Sequence, residues 1–250
     1  MDTKSKNKID NFFSIMISNG AYPSKDNLKF KYDQIFGNID FKGKNVLEIG
    51  GGAGVFCFYA SVMGANWVVN LEPEGVGSKS GYIEKFKLLK DALGVNNVEL
   101  IESTFQDYDP LNRKFDIILL YNSINHLDEE ACIDLLTNSN SWDIYKSIFN
   151  RIYSISNNDA KIIMGDCSNK NFFPLVRLKN PIYKKIEWYK HQSPDVWIKL
   201  LRECGFINPE ISWTSFNSLG KLGKFLFGNK YISYFLVSHF VLRIEKAKKK

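Results

Sequence analysis

Through the middle of the chain, apolar runs of strand length alternate with longer amphipathic stretches. The runs fall at about 45–49, 67–72, 98–102, 115–121 and 160–166, and helical spacing is found near 54–63, 79–93, 128–137 and 142–156. Short runs that are apolar throughout, bounded by turn residues, read as strands buried on both faces. Strands separated by helices and short connections predict a mostly parallel sheet covered by helices, an α/β fold. The polar stretch Thr137-Asn138-Ser139-Asn140-Ser141 predicts a loop between two helices.

The flanks follow other rules. Residues 1–40 predict a helical lead-in, with Ile9, Phe12, Phe13, Ile15, Met16 and Ile17 on one face, a break at 19–23 and a second helix over 28–36. Residues 167–192 lose regular periodicity around Pro174, Asn180 and Pro181, which makes them a candidate substrate segment. Ser193-Pro194-Asp195 starts a helix by its cap residue, its proline at the first position and its acid in the first turn. That helix runs over 196–203 and stops at Cys204-Gly205. A strand follows at 207–214. Gly220, Gly223 and Gly228 interrupt residues 216–230, which predicts a peripheral surface element, and a last strand spans 234–244.

A length of 250 residues supports one substantial core. The net charge of +6 is concentrated: Lys246, Lys248, Lys249 and Lys250 supply four charges and leave +2 for the rest, which argues against nucleic acid as a partner. With the lysines of 216–230, that tail gives 216–250 the means to lie on an anionic membrane surface. Cys57, Cys132, Cys167 and Cys204 are dispersed, so neither a zinc site nor a disulfide framework is expected. The polar first residues and the lack of a long apolar run predict a cytoplasmic protein.

The densest chemistry lies at 46–54, Val-Leu-Glu-Ile-Gly-Gly-Gly-Ala-Gly, where a strand meets a helix through glycines. Glycine there lets backbone approach a ligand. A dinucleotide fingerprint needs glycine at the sixth position, but from Gly50 that position is Val55 and from Gly52 it is Cys57. No Gly-Lys-Ser/Thr triplet follows either. Glu48, two residues before the first glycine, suits a cationic ligand end rather than a phosphate. Glu72, about 20 residues on at the end of the second strand, suits ribose hydroxyls.

The pattern Glu48-x-Gly50-x-Gly52-x-Gly54, then Glu72, then Ser103-Thr104-Phe105-Gln106-Asp107, then Tyr121-Asn122-Ser123-Ile124-Asn125-His126, resembles motifs I to IV of the class I S-adenosylmethionine-dependent methyltransferases over about residues 40–215. The resemblance implies a Rossmann-like, mostly parallel sheet whose last strand is antiparallel and forms a closing hairpin with 207–214. It implies an N-terminal helical lid (1–40) on a domain spanning 41–250, and Tyr22 as a lid contact. It implies S-adenosylmethionine as cofactor, held by Glu48, Gly50, Gly51, Gly52, Gly54, Glu72, Thr104, Phe105 and Asn122, with Phe105 against adenine and Gln106 or Asp107 near its amine. The segment with Asn-Phe-Phe-Pro at 171–174 and Glu-Trp-Tyr-Lys-His-Gln at 187–192 is similar to that of methyltransferases of bacterial polysaccharide assembly. A small-molecule or glycan hydroxyl is then the expected acceptor.

An oxygen acceptor needs a base, and the chain has three histidines. His126 and His191 fall in segments expected at the carboxyl edge of the sheet, with Asp166 as orienting partner. His126 ranks first because it follows the fourth strand, and His239 reads as a sheet residue. No metal is expected: Asp166 and Asn169 are present, but the fourth strand ends in Asn122 rather than an acid. The Asn/Asp-Pro-Pro-Tyr/Phe motif of nucleic-acid amino methyltransferases is absent. The other function classes are an N-methyltransferase acting on an amine or protein side chain, and a non-catalytic S-adenosylmethionine-binding module.

Overall fold

In the computed structural model, which describes residues 3–75, 81–181, 183–214 and 219–248, the strands form one seven-stranded sheet. Contacts divide the chain into two compact units, Met1–Leu120 and Tyr121–Lys250.

The first unit opens with α1 (Thr3–Ser18) and α2 (Lys25–Phe36), then continues β1 (Asn45–Ile49), α3 (Val55–Val62), β2 (Trp67–Leu71), α4 (Tyr82–Leu93), β3 (Val98–Ile101) and β4 (Phe115–Tyr121), whose last residue begins the second unit. β1 pairs in parallel with β2 and β4, and β2 with β3. Val46, Leu47 and Ile49 of β1, and Val68, Val69 and Leu71 of β2, are buried, as strands covered on both faces require. The leader helices join this core through aromatic packing. The Tyr32 ring stacks on Tyr59 of α3 at 4.0 Å, Phe36 stacks on the same ring at 5.6 Å, and the Tyr32 hydroxyl donates to the Val55 carbonyl at 2.9 Å. The lead-in is thereby fastened to the helix that follows the glycine turn. Each such buried ring contributes about 1.5–3 kcal/mol.

The second unit holds α5 (Glu129–Ile133), α6 (Ser139–Ile155), β5 (Ser156–Cys167), α7 (Phe172–Leu175), α8 (Pro194–Glu203), β6 (Phe206–Trp213), α9 (Gly220–Phe227), α10 (Lys230–Phe235) and β7 (His239–Lys246). β7 runs antiparallel to both β5 and β6, giving the sheet order β3-β2-β1-β4-β5-β7-β6. The last strand is antiparallel, as expected.

Five local expectations are corrected. The polar loop at 137–141 is mostly helix: Asn138 caps α6, its side chain accepting from the Asn140 amide at 2.9 Å, so the helix starts at Ser139. The helix expected over 128–137 is correspondingly cut to α5. Residues 220–227 are helical despite their glycines, although 215–218 lie outside the described residues. The last strand begins at His239 rather than 234, because the Asn229 side chain accepts from the Ile232 amide at 3.0 Å and starts α10. Lys246 is not part of a solvated tail. It is buried at the end of β7, and its ammonium donates to the carbonyls of Tyr153 and Ser156, both at 2.8 Å.

Candidate active site

The glycine turn lies in the first unit, at the carboxyl end of β1. Gly50, Gly52 and Gly54 have φ of 71°, 54° and 74°, the left-handed region where a Cβ is strained. Gly51 is needed for space: a Cβ there would lie 1.9 Å from Asn70 Oδ1 and 2.7 Å from Glu48 Cδ. Asn70 supports the turn from β2, its amide donating to the Gly52 carbonyl at 3.0 Å. Glu72 is buried; Oε2 accepts from the Gly52 amide at 2.7 Å and Oε1 from the Glu74 amide at 3.3 Å. Two N–H groups therefore hold this carboxylate against the turn.

Glu48 is buried as well. Its Oε2 accepts from the amide of Cys57 at 3.1 Å and from its thiol at 2.9 Å, at the first turn of α3. Desolvation raises its carboxyl to about 8, against the lowering effect of the Cys57 bonds and of the Lys31 charge. The Lys31 ammonium lies 5.1 Å from the centre of the Phe56 ring and 5.5 Å from that of Tyr22, the residue expected in the lid. Desolvation lowers it to about 8. In the turn after β3, Thr104 donates its hydroxyl to Asp107 Oδ2 at 2.7 Å and accepts from the Asp107 amide at 3.1 Å. Phe105 is buried in the core.

The second unit assembles a different group of residues. Asp166, near the end of β5 and only 1% exposed, accepts from the Cys167 amide at 2.7 Å through Oδ1, and the same oxygen lies 3.0 Å from His191 Nδ1. A carboxylate there selects the tautomer with its hydrogen on Nδ1 and leaves a lone pair on Nε2. His191 follows the 3-10 turn Trp188–Lys190, and both of its neighbours are anchored to the α5 region. Lys190 pairs with Glu129 at 2.8 Å, and the Gln192 amide donates to the Cys132 carbonyl at 2.7 Å. Among the described residues, Asp166 Oδ2 and Asn169 Oδ1 are buried without a hydrogen-bond partner.

His126, first in the sequence ranking, is not brought to Asp166. It is half-exposed, and its Nδ1 lies 3.2 Å from Oε2 of Glu129, the first residue of α5. Ser193 takes the cap position of α8, with Pro194 at its start and Asp195 in its first turn, as the sequence pattern predicts, although the serine side chain makes no cap bond.

A model of the methyltransferase domain family matches residues 40–215. The chain belongs to the methyltransferase domain family. None of the curated proteins matches it in sequence. Among solved structures, a Listeria monocytogenes protein assigned as an S-adenosylmethionine-dependent methyltransferase superposes with a TM-score of 0.63 at 13% identity, over 90% of this chain and 100% of that one. An S-adenosylmethionine-dependent methyltransferase from Mesorhizobium loti gives 0.56 at 12% identity, over 83% and 93%. Phosphoethanolamine N-methyltransferase 2 from Haemonchus contortus, bound to phosphomonomethylethanolamine and S-adenosylhomocysteine, gives 0.60 at 13%, over 94% and 57%. At such identities the likeness is one of fold: the class I, Rossmann-like sheet. The chain is an S-adenosylmethionine-dependent methyltransferase.

The residues of this methyltransferase fit that cofactor. The turn has no room for a side chain at Gly51, two carboxylates border it, and Asn70 Oδ1 beneath it is a buried oxygen without a hydrogen-bond partner among the described residues. Such a set of acceptors suits a ligand with hydroxyls and a cationic end better than a phosphate.

One residue set aside in the sequence belongs to the second cluster. His239 opens β7; its Nε2 lies 3.1 Å from Asn122 Oδ1 and its Nδ1 lies 3.1 Å from the Thr214 hydroxyl. Asn122 has φ of 54° and donates its amide to the Gly165 carbonyl at 2.7 Å. Gly165 in turn leaves room for Tyr121, whose ring a Cβ would meet at 2.5 Å. The readable signal was topology. An antiparallel last strand begins beside the carboxyl end of its neighbour, and Cys167 is indeed paired with His239.

Proposed function

We propose that the enzyme methylates a hydroxyl of a small molecule or glycan, with His191 as general base and Asp166 as its orienting partner. The observation that carries this reading is the 3.0 Å contact of His191 Nδ1 with a carboxylate that is 1% exposed. The buried oxygens of Asp166 and Asn169 that lack partners support a polyhydroxyl acceptor, because each demands a donor.

In this reading Glu72 receives the ribose hydroxyls, the 50–54 backbone lies against the cofactor, and Glu48 faces its amino-acid end. Phe105 and Thr104 border the adenine, and Asn122 borders the reacting edge. When bound, S-adenosylmethionine supplies an electrophilic methyl on a sulfonium sulfur. His191 Nε2 would accept the proton of an acceptor hydroxyl, and Asp166 would stabilise the imidazolium that results. Holding the acceptor in line supplies the remaining acceleration.

The test uses methyl-labelled S-adenosylmethionine with sugars, phenols and primary amines as acceptors. Transfer to hydroxyl compounds that is lost in His191→Ala, with cofactor affinity intact, is the expected result. Transfer to amines alone, unaffected by that variant, assigns the chain to N-methylation instead. Cofactor binding with no transfer to any acceptor returns the reading to a binding module.

A further inference from the structure

Between Asp166 and Glu187 the chain carries Lys170, Arg177, Lys179, Lys184 and Lys185 and no acidic residue; between Glu210 and Glu245 it carries Lys221, Lys224, Lys230 and Arg243, again with no acid. The modest net charge of the whole chain conceals this segregation.

The fold joins the two stretches. The Phe172 ring packs 5.1 Å from Phe235 and 6.3 Å from Tyr234. The buried Asn171 donates to the Leu236 carbonyl at 3.2 Å and to the Ser238 hydroxyl at 2.9 Å, while that hydroxyl donates to the Lys170 carbonyl at 3.0 Å. The buried Asn180 also donates to the Leu236 carbonyl. Residues 170–180 and α10 therefore form one surface, with α9 leading into it.

That surface turns large apolar side chains outward. Phe225 is 84% exposed, Tyr231 82%, Leu175 73%, Leu222 67%, Leu178 60% and Phe235 53%. In α9 only Gly223 is buried. A single exposed leucine needs no explanation, but a cluster of this size marks a contact surface. Arg177, Lys179, Lys184, Lys185, Lys221, Lys224 and Lys230 lie exposed among and beside these tips.

Apolar and aromatic tips within basic segments that carry no acid of their own match one partner chemistry, the boundary between anionic headgroups and acyl chains. Nucleic acid would reward the lysines but not Leu175, Leu222 or Phe225. A second copy placed on the same face would set lysine against lysine. No helix among the described residues is long and apolar enough to cross a membrane, so this contact is peripheral. We propose that α9, α10, residues 172–181 and residues 183–185 dock the enzyme on an anionic bilayer surface, whichever atom it methylates.

Co-sedimentation of the full chain with vesicles tests this. Phosphatidylcholine vesicles are compared with vesicles in which roughly one-third of the lipid is phosphatidylglycerol. Binding to the anionic vesicles at least about tenfold stronger than to the neutral ones, and abolished near about 0.5 M salt, is expected. Phe225→Glu/Tyr231→Glu and, separately, Lys221→Glu/Lys224→Glu/Lys230→Glu should each lower anionic-vesicle binding about tenfold or more. All five positions are exposed, so circular dichroism should show both variants folded; should one misfold, the other carries the test. Equal pelleting with both vesicle types, no pelleting, or binding indifferent to the variants overturns the proposal. So does a dimer in sedimentation velocity that Phe225→Glu/Tyr231→Glu dissolves while vesicles recruit nothing, which assigns the face to a second copy.

Discussion

The glycine turn of the first unit and the histidine cluster of the second are built in opposite ways. The turn spans Glu48 to Gly54, with support from Asn70 and Glu72 on the adjacent strand, and much of it is backbone held by three left-handed glycines. The cluster is made of side chains drawn from distant points: Asn122 meets His239 across 117 positions, and Asp166 meets His191 across 25. A backbone site tolerates most neighbouring substitutions but not an added Cβ. A side-chain site loses function at single positions while its scaffold stands. The two regions should therefore fail differently, the first in affinity and the second in turnover.

The largest effect is expected at His191. Replacing it with Ala removes the proposed base and should lower kcat by about 10²–10⁴, with affinity for S-adenosylmethionine unchanged. Asp166→Asn keeps the shape but loses the carboxylate that selects the tautomer, and should fall in the same range. His126→Ala should stay within about threefold of the parent. If His191→Ala keeps turnover and His126→Ala loses it, the assignment reverses.

The cradle should show the converse. Glu72→Ala removes a buried acceptor held by two amides and should weaken cofactor binding about ten- to a hundredfold, roughly 1.5–3 kcal/mol by calorimetry. Gly51→Ala places a Cβ 1.9 Å from Asn70 Oδ1, so its loss should be at least as large. Adding Asn70→Ala should relieve part of that clash and recover some binding; a double variant no better than the single would locate the damage elsewhere.

This contrast also sets what could be read from the sequence. The cradle was legible because glycine spacing and an acid one strand later are local signals, and β1, β2 and β4 matched their apolar runs almost residue for residue. The pairing of Asp166 with His191 rather than His126 was not legible. It depends on how residues 187–192 fold back on α5 through Lys190 and Gln192. The differences at 216–244 have two local causes. Glycine spacing reads as a helix breaker, yet Gly223 is the one buried position of α9 and Gly220 opens the helix. The start of α10 rests on one cap bond from Asn229, which the apolar run beyond it masked.

A smaller effect separates the two regions by pH. Glu48 is raised to about 8 in the folded chain against an ordinary 4.5, so between these values the folded state holds a proton that the unfolded state has released. Stability therefore falls as pH rises through that window and levels off above about 8. Lys31, lowered from 10.5 to about 8, acts in the opposite sense at higher pH, where the unfolded chain holds the extra proton and stability climbs. Thermal melts of the parent should drop by several degrees between about pH 5 and pH 8. Glu48→Gln should flatten that slope. An unchanged slope in Glu48→Gln would remove Glu48 as its source.

The smallest effect is expected at His239, a positioning residue that acts through Asn122. Its ring lies between Asn122 Oδ1 and the Thr214 hydroxyl, 3.1 Å from each, and it fixes a side chain that follows β4 in a left-handed conformation. Losing one such hydrogen bond costs about 0.5–1.5 kcal/mol, so His239→Ala should lower kcat by roughly three- to tenfold. Affinity for the cofactor should barely change. A double-mutant cycle gives the sharper reading: if His239 works by holding Asn122, then Asn122→Ala and His239→Ala together should cost little more in kcat than Asn122→Ala alone. Additive losses would mean that His239 and Asn122 act separately, and a matched fall in thermal stability with kcat preserved would reduce His239 to the sheet residue that its place in β7 first implied.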